Sequence, residues 1–589
     1  MGKSRFDSVN FLFFIPAVLG LLWFGYSDFL WREAILLALI LPLAFAARNR
    51  WTTARPPAWC APLRRWSRNI FAACAIPAIA SIVLRLILLP WIPVPHPVVP
   101  DEFSHLFLAK TLLLGRFANP PHPLWQHFET IHVISQPTFS SMYMMGQACF
   151  LAFGKLVAGD FFAGVLLSTA LFCAALTWFL RAYVPPGWAL FGGLLAAVRI
   201  GAASYWNNSY WGGSAAALGG ALMFGAYARI TSRLSIRNAV LFTLGTILVA
   251  NTRPYEGFGL ATVLIGALLI QVVKRRSKVP WRTARASIAS AAILAAIAGW
   301  VMTSQWKAVT GSRFMMPYTV NYRTYGWPLT LPFTKVKEVS YAHPEFKVYH
   351  DFELDEHRKL TSLRLFSWDA LFKLIFLWRF YLGIACSATI TFADRILSVR
   401  RTRVIWFAML INLVQVITEQ SSYPHYLATA TAPIFLFIVQ GFRRLMQCSP
   451  KRFPLGPFAV FSAIPLMLIV LVFRAAMSPQ TAPAGLSNFI SWCCNDARLY
   501  DRYPLVESVA AQPGKHLVII GYDTATYKFD WVYNEPDIDG ARIIFARDMG
   551  PVANHQLITM YPDRRVWKVR VENQKPAILY DSGASTASK

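Results

Sequence analysis

The chain has 589 residues, 56% of them hydrophobic and 15% aromatic, with a formal net charge of +28 at pH 7 and a mean hydropathy of +0.42. That is too apolar for an ordinary soluble protein. Many windows reach the roughly 20 apolar residues needed to cross about 30 Å of hydrocarbon, so the class is a polytopic membrane protein.

Apolar spans are expected near 11–26, 33–47, 70–92, 160–182, 187–205, 212–230, 238–252, 258–273, 286–303, 370–393, 404–420, 427–441 and 456–474. Lys3 and Arg5 before Phe11–Phe24 resemble a signal peptide, but no small-residue cleavage site follows Gly25-Tyr26-Ser27, so the first span is read as retained. Basic residues gather in alternate loops. Arg48, Arg50, Arg55, Arg64, Arg65 and Arg68 fill the first; Arg229, Arg233 and Arg237 mark another. Lys274 to Arg285, Arg395 to Arg403, and Arg443 to Arg452 mark three more. The positive-inside rule makes that side, and the N-terminus with it, cytoplasmic. An odd number of spans then leaves the C-terminus outside. The charge is read as topology, not as a nucleic-acid surface.

The polar chemistry is exported. After the apolar run Ile70–Ile92, five prolines (Pro90, Pro93, Pro95, Pro97, Pro100) stop the helix and present Asp101-Glu102 at the outer membrane surface. All eleven histidines fall in external regions; His96, His105, His122, His127 and His132 share the first large loop. Histidine titrates and ligates metals near neutral pH, so a divalent metal is one reading of that loop, although polar residues belong in loops in any case. Neither the histidines nor the eight cysteines show metal-ligand spacing; Cys493-Cys494 are external and could pair elsewhere. No cofactor is committed to.

Further along, Tyr205-Trp206-Asn207-Asn208-Ser209-Tyr210-Trp211 is an external turn rich in rings and amides, suited to a sugar face and its hydroxyls. An interfacial aromatic belt explains its rings equally well. Arg253 sits in a second external turn, Asn251 to Gly257, with Glu256 three residues on, so an ion pair competes with a ligand-binding role. The loop 304–369, with Met316-Pro317-Tyr318 and Tyr322 to Trp327, reads as a lid on the acceptor side. From about 478 the composition becomes that of a soluble domain, with short strands expected at His516–Gly521, Arg542–Phe545 and Val566–Val571. The organisation is therefore 1–69, an N-terminal hairpin and basic loop; 70–474, the main membrane domain; and 475–589, an external α/β domain with a disordered tail.

The run Pro100-Asp101-Glu102-Phe103-Ser104-His105, then Leu112-Leu113-Leu114-Gly115-Arg116, then Gln136-Pro137 and a helix ending Phe153-Gly154, resembles the first external loop of GT-C glycosyltransferases. Among these it is most similar to protein O-mannosyltransferases and lipid A aminoarabinose transferases. The turn Ser421 to Ala428, with Tyr423, Pro424, His425 and Tyr426, is similar to a late external turn of that group. The resemblance covers about residues 70–474. It implies a GT-C-like membrane bundle, and with the spans above the fold expected is an all-α polytopic bundle of about 13 transmembrane helices, with large external loops and the small C-terminal α/β domain.

It also implies roles. Asp101 aligns with the family's loop acid and becomes the base that activates the acceptor, with Glu102 in reserve; the competing reading is a helix N-cap at Asp101. Arg253, where relatives often carry lysine, becomes the ligand of the donor phosphate, with Arg116 as second candidate. His105, Asn207, Asn208, Tyr210, Tyr318, His425 and Tyr426 become substrate-binding. Relatives often place a second acid near 205–213, where this chain has amides; that departure weighs against a two-carboxylate or metal-carboxylate arrangement. The expected activity is transfer of a sugar from a polyprenyl-phosphate donor, in the cytoplasmic membrane of a bacterium, to an extracytoplasmic acceptor. The alternatives are a transporter or flippase of lipid-linked sugars, which ordinarily shows repeated halves and midplane charges, and a non-catalytic scaffold for envelope assembly.

Overall fold

The computed structural model describes residues 60–274, 280–327, 336–420, 423–447, 455–477, 502–523, 529–573 and 575–583. The expected spans at 11–26 and 33–47, the N-terminal Lys3 and Arg5, and Cys493-Cys494 lie outside them. Each of the other expected spans falls on a helix. Six of these are long and apolar enough to cross a membrane: Ile70–Ile87, Phe162–Leu180, Pro254–Lys274, Trp281–Thr310, Arg400–Thr418 and Pro424–Leu445. The pair Leu363–Tyr381 and Gly383–Leu397 makes a seventh if taken as one span, bent by 94°. The helices Pro186–Ala202, Ile236–Ala250 and Ala459–Phe473 are apolar but shorter. At 1.5 Å per residue, 15 residues reach only about 22 Å. The described residues thus hold six or seven full-length spans with shorter apolar helices between them.

The bundle closes where small residues let backbones approach. Gly220, on the helix Gly213–Ile230, is such a place: a Cβ there would meet the carbonyl of Thr429 at 2.0 Å. The bend at 381–383 has its own device. Gly383 takes φ +54°, a conformation that favours glycine. The fully buried Arg199 fills the angle, donating from Nε to the Phe380 carbonyl at 2.8 Å and from Nη2 to that of Arg379 at 2.5 Å. The carbonyl end of a helix is the favourable place for a buried cation.

Outside the bundle the chain builds a cap from three separate stretches. The first carries the helix Pro100–Leu113, a ribbon pairing Val133–Ile134 with Ser140–Ser141, and the helix Met145–Ala158. The second carries the helices Pro317–Tyr325 and Pro344–Arg358. The third is the C-terminal sheet, in the order Ile543–Arg547, Lys515–Tyr522, Arg564–Glu572, Lys575–Asp581, with the first three strands parallel and the last antiparallel. The last strand was not expected from the sequence. It is a largely exposed edge with Pro576 near its start, the position a sheet allows to proline.

The sheet is seated on the first stretch. Phe103 stacks on Tyr533 at 3.9 Å between ring centroids and His96 on Tyr503 at 4.0 Å. The Tyr503 hydroxyl donates to the carbonyl of Pro97 at 2.8 Å. The helix that begins at the acidic pair is therefore fixed from outside as well as from the bundle.

Candidate active site

Proline at the first turn of Pro100–Leu113 starts the helix, and the two acids that follow divide the work. Glu102 is the one that caps: Oε2 accepts from the backbone N–H groups of Val98 (2.9 Å) and Val99 (3.2 Å), and Oε1 from that of Tyr210 (2.8 Å). It is 2% exposed, and burial pushes its carboxyl up to about 7 against those donors. Both oxygens hold backbone, so the reserve base of the sequence reading is a structural clamp between the proline-rich segment and the 205–211 turn. The N-cap position is Val99 rather than Asp101, and Glu102, inside the first turn, reaches back to its N–H. Glu102→Ala strands three buried N–H groups at about 1–3 kcal/mol each. A clear fall in the melting temperature of the purified chain is expected, whereas an unchanged value would refute the clamp.

Asp101 is left to face the cap's interior. Its Oδ1 accepts from the Tyr143 hydroxyl, and its Oδ2 lies 3.5 Å from His132 Nδ1. Burial acts to raise its pKa, but the charge and hydrogen bond of His132 and the bond from Tyr143 outweigh it, holding the carboxyl well below the usual range. His132 has φ +64°, and its Nε2 is 3.3 Å from the Tyr349 hydroxyl. One helical turn beyond Tyr349, Glu353 accepts from the Gln420 side-chain amide. His105 packs on Tyr143 with ring centroids 4.5 Å apart, and burial pushes it down to about 4, so it is neutral.

Arg253 lies in the turn between Ile236–Ala250 and Pro254–Lys274. Its guanidinium bonds Glu256 Oε1 from Nε at 2.8 Å and again from Nη2. Nη2 is also 3.8 Å from Glu419 Oε2, and the group lies over the Tyr426 ring at 3.7 Å. The Glu256 pair weighed from the sequence is therefore present, and a second carboxylate joins it. Tyr318 bridges the two halves: its ring is 5.5 Å from that of Tyr143, and the charges acting on it are those of Arg253, Asp101, Glu256 and Glu419. His425, hydrogen-bonded to the Tyr205 hydroxyl at 2.9 Å and 4.5 Å from the Trp211 ring, feels Arg253, Asp101 and His105 together. Asp101, His105, Arg253, Tyr318, His425 and Tyr426 thus belong to one polar cluster.

Other residues singled out in the sequence are elsewhere. Asn207 is fully buried, bonded to the Gly201 carbonyl and to Thr169 at 3.2 Å; Asn208 donates to the Ser204 carbonyl at 3.2 Å. The Tyr210 hydroxyl donates to the Pro95 carbonyl at 3.0 Å. These hydrogen bonds hold an irregular turn together. Arg116 is exposed beyond the far end of its helix. The loop histidines also disperse. His122 meets Tyr561, His127 meets the Arg547 carbonyl and His96 meets Tyr503, so only His105 and His132 stand by Asp101. No group of three His, Cys, Asp or Glu residues poised to hold a metal is present among the described residues.

Tyr349 and Glu353 escaped sequence reasoning. Glu353 lies in Asp351-Phe352-Glu353-Leu354-Asp355-Glu356, where it looks like one of several solvated acids. The helical spacing of Phe346, His350 and His357, which are buried, was the available signal that one face of this helix turns inward.

No family model matches the chain, and no curated protein matches it. Among solved structures, ArnT from Cupriavidus metallidurans in the apo state is similar at 11% identity and a TM-score of 0.44, over 84% of this chain and 93% of that one. The same protein bound to undecaprenyl phosphate is similar at 10% identity and a TM-score of 0.46, with the same coverage. The archaeal oligosaccharyltransferase AglB from Archaeoglobus fulgidus, in complex with an inhibitory peptide and a dolichol-phosphate, is similar at 10% identity and a TM-score of 0.41, over 85% of this chain and 69% of that one.

Proposed function

We propose that this integral membrane protein is a glycosyltransferase that moves a sugar from a polyprenyl-phosphate carrier to an acceptor on the outer side of the cytoplasmic membrane of a bacterium. The observation that carries the reading is the space shared by Asp101 and Arg253, whose charges act on the same Tyr318 and His425. Inverting transfer needs a group to take the acceptor's proton and a cation to stabilise the departing phosphate. Asp101 takes the first role and Arg253 the second. Tyr318, Tyr426 and His425 line the space between them, and His105, neutral and packed on Tyr143, completes its wall.

The test is transfer of radiolabelled sugar from polyprenyl-phosphate donors by the purified chain in vesicles. Label reaching an acceptor supports the transferase. Carrier movement across the vesicle without transfer would replace it with a transporter. Within that assay Arg253→Lys keeps the charge that Glu256 needs but loses the planar fork that grips a phosphate. One charge-assisted bond corresponds to about 1.5–3 kcal/mol, so the donor KM should rise about 10- to 100-fold while the acceptor KM stays put. An unchanged donor KM would remove Arg253 from the phosphate site.

A further inference from the structure

Arg253 is shared by two carboxylates that the fold brings to it from different helices. Glu256 stands in the first turn of Pro254–Lys274, and Glu419 follows the end of Arg403–Thr418. These helices are clamped side by side. Asn412 Nδ2 donates to the Glu256 carbonyl at 3.0 Å, and Gln415 Nε2 donates to the Tyr255 carbonyl at 2.7 Å. Gly259 makes the contact possible, since a Cβ there would collide with the Gln415 amide. Lys373, buried on Leu363–Tyr381, anchors the Glu419 end: its Nζ donates to the Ile417 carbonyl at 3.1 Å and to that of Glu419. The charge of Lys373 is matched by Asp369, at 2.6 Å.

With every acid ionised, Arg253 and Lys373 would face three carboxylates in this group, those of Glu256, Glu419 and Asp369. A phosphodiester arriving at Arg253 adds one more negative charge. Glu256 and Glu419 are 1% and 3% exposed, so water does little to screen them. Like charges in one buried site are relieved by keeping a proton on one of them. Glu256 Oε1 takes two hydrogen bonds from Arg253, whereas Glu419 Oε2 stays 3.8 Å from it, beyond hydrogen-bonding distance. Glu419 is therefore the acid that gives up its charge with the smaller loss. We propose that Glu419 holds a proton while the donor phosphate is bound at Arg253, so that the guanidinium's charge is left to the phosphate. Glu419 is then a positioning residue acting through Arg253. The proposal rests on the transferase reading above and on Arg253 as its phosphate ligand.

The surroundings of Glu419 act in the same direction. Burial, and after it the charge of Glu256, pushes its carboxyl well above the usual range, against the attraction of Arg253 and Lys373. Tyr255, Tyr318 and Tyr426 are the other titratable groups that feel its charge, and Asp369 is paired with Lys373. A phenol ordinarily ionises only near about 10, and a phosphodiester keeps one fixed charge across the neutral and alkaline range. The sign follows from the charges. The neutral carboxyl admits the phosphate and the ionised one repels it, so affinity is full below the Glu419 pKa and falls about tenfold per pH unit above it.

The experiment uses the full-length chain in vesicles and a radiolabelled polyprenyl methyl phosphate, a phosphodiester with no sugar to transfer. Infrared spectra of the bound state should contain the carbonyl stretch of a protonated carboxyl that is missing in Glu419→Gln. The native Kd should begin to rise at the pH where that band disappears. Glu419→Gln keeps the shape and is neutral at every pH, so it should show no such rise and bind about tenfold more tightly than the native chain one pH unit beyond it. A band and a Kd that both persist to the highest pH tested are the expected result for a proton held throughout. A spectrum unchanged by Glu419→Gln would overturn the proposal, as would an alkaline rise in Kd that Glu419→Gln shares, or a band lost with no rise. Failure of the probe to bind, or binding that Arg253→Lys does not weaken, is a separate result. It would overturn Arg253 as the phosphate ligand and the proposal with it, while sugar transfer by the native chain still decides the transferase reading.

Discussion

Asp101→Asn is expected to lower sugar transfer by about 10²- to 10⁴-fold, the usual contribution of a positioned base, while leaving the fold and donor binding intact. The separation is clean because the two acids have different duties. Glu102 holds the backbone of the proline-rich segment and the 205–211 turn, and Asp101 holds none. The substituted amide keeps an oxygen in place of Oδ1 to accept from Tyr143, so the local packing survives. What disappears is the proton acceptor and its attraction for His132. Labelled-sugar transfer measured beside donor binding decides the matter. Native transfer by the Asn variant would remove Asp101 from the chemistry, and lost donor binding would move it to substrate recognition.

The second large effect is expected far from the chemistry. Arg547 is 1% exposed and joins all three stretches of the cap. It donates from Nε to the Glu129 carbonyl at 2.7 Å, from Nη1 to Glu345 at 2.5 Å, and from Nη2 to Asp530. Its guanidinium lies 4.4 Å from the Phe346 ring, and Asp530 is further held by Thr130 at 2.7 Å and Tyr522 at 2.6 Å. Arg547→Met removes one partner and leaves two carboxylates buried, which costs about 3–5 kcal/mol. Hydrogen exchange should rise in the C-terminal sheet, the 122–134 loop and the helix Pro344–Arg358 together. Because that loop carries His132, the neighbour of Asp101, transfer should fall as well. Arg547→Lys should not rescue, since a point charge cannot match three divergent acceptors. Exchange confined to the sheet would show that the three stretches are not held jointly.

How far the sequence could be read depended on the range of the forces involved. Hydropathy is local, and each expected span among the described residues lies on a helix. The stop before Asp101 was legible because proline acts on its own neighbours. The break at 381–383 was not, since it depends on Arg199 reaching in from another helix. The bonds of the amide pair were hidden for a related cause: the carbonyls of Gly201 and Ser204 that Asn207 and Asn208 meet are offered by an irregular turn that the sequence does not announce. Arg253 with Glu256 was readable at three residues' distance, but Glu419 beside them was not. Glu353 was hidden most completely, because its neighbours in space, His132 and Asp101, belong to a stretch of chain far earlier in the sequence.

The Arg547 clasp also sets an order of events in the birth of the molecule. The Glu129 carbonyl that it grips was made 418 residues earlier, and Glu345 was made 202 residues earlier. During synthesis the loop and helix that flank Asp101 wait without this fastener until Arg547 has been made. A nascent or prematurely ended chain can thus occupy the membrane with its bundle formed and its cap still open. Formation of this clasp is then the step that closes the cap, so a chain cut before Arg547 should lose hydrogen-exchange protection in the 122–134 loop and the helix Pro344–Arg358 while its bundle helices remain.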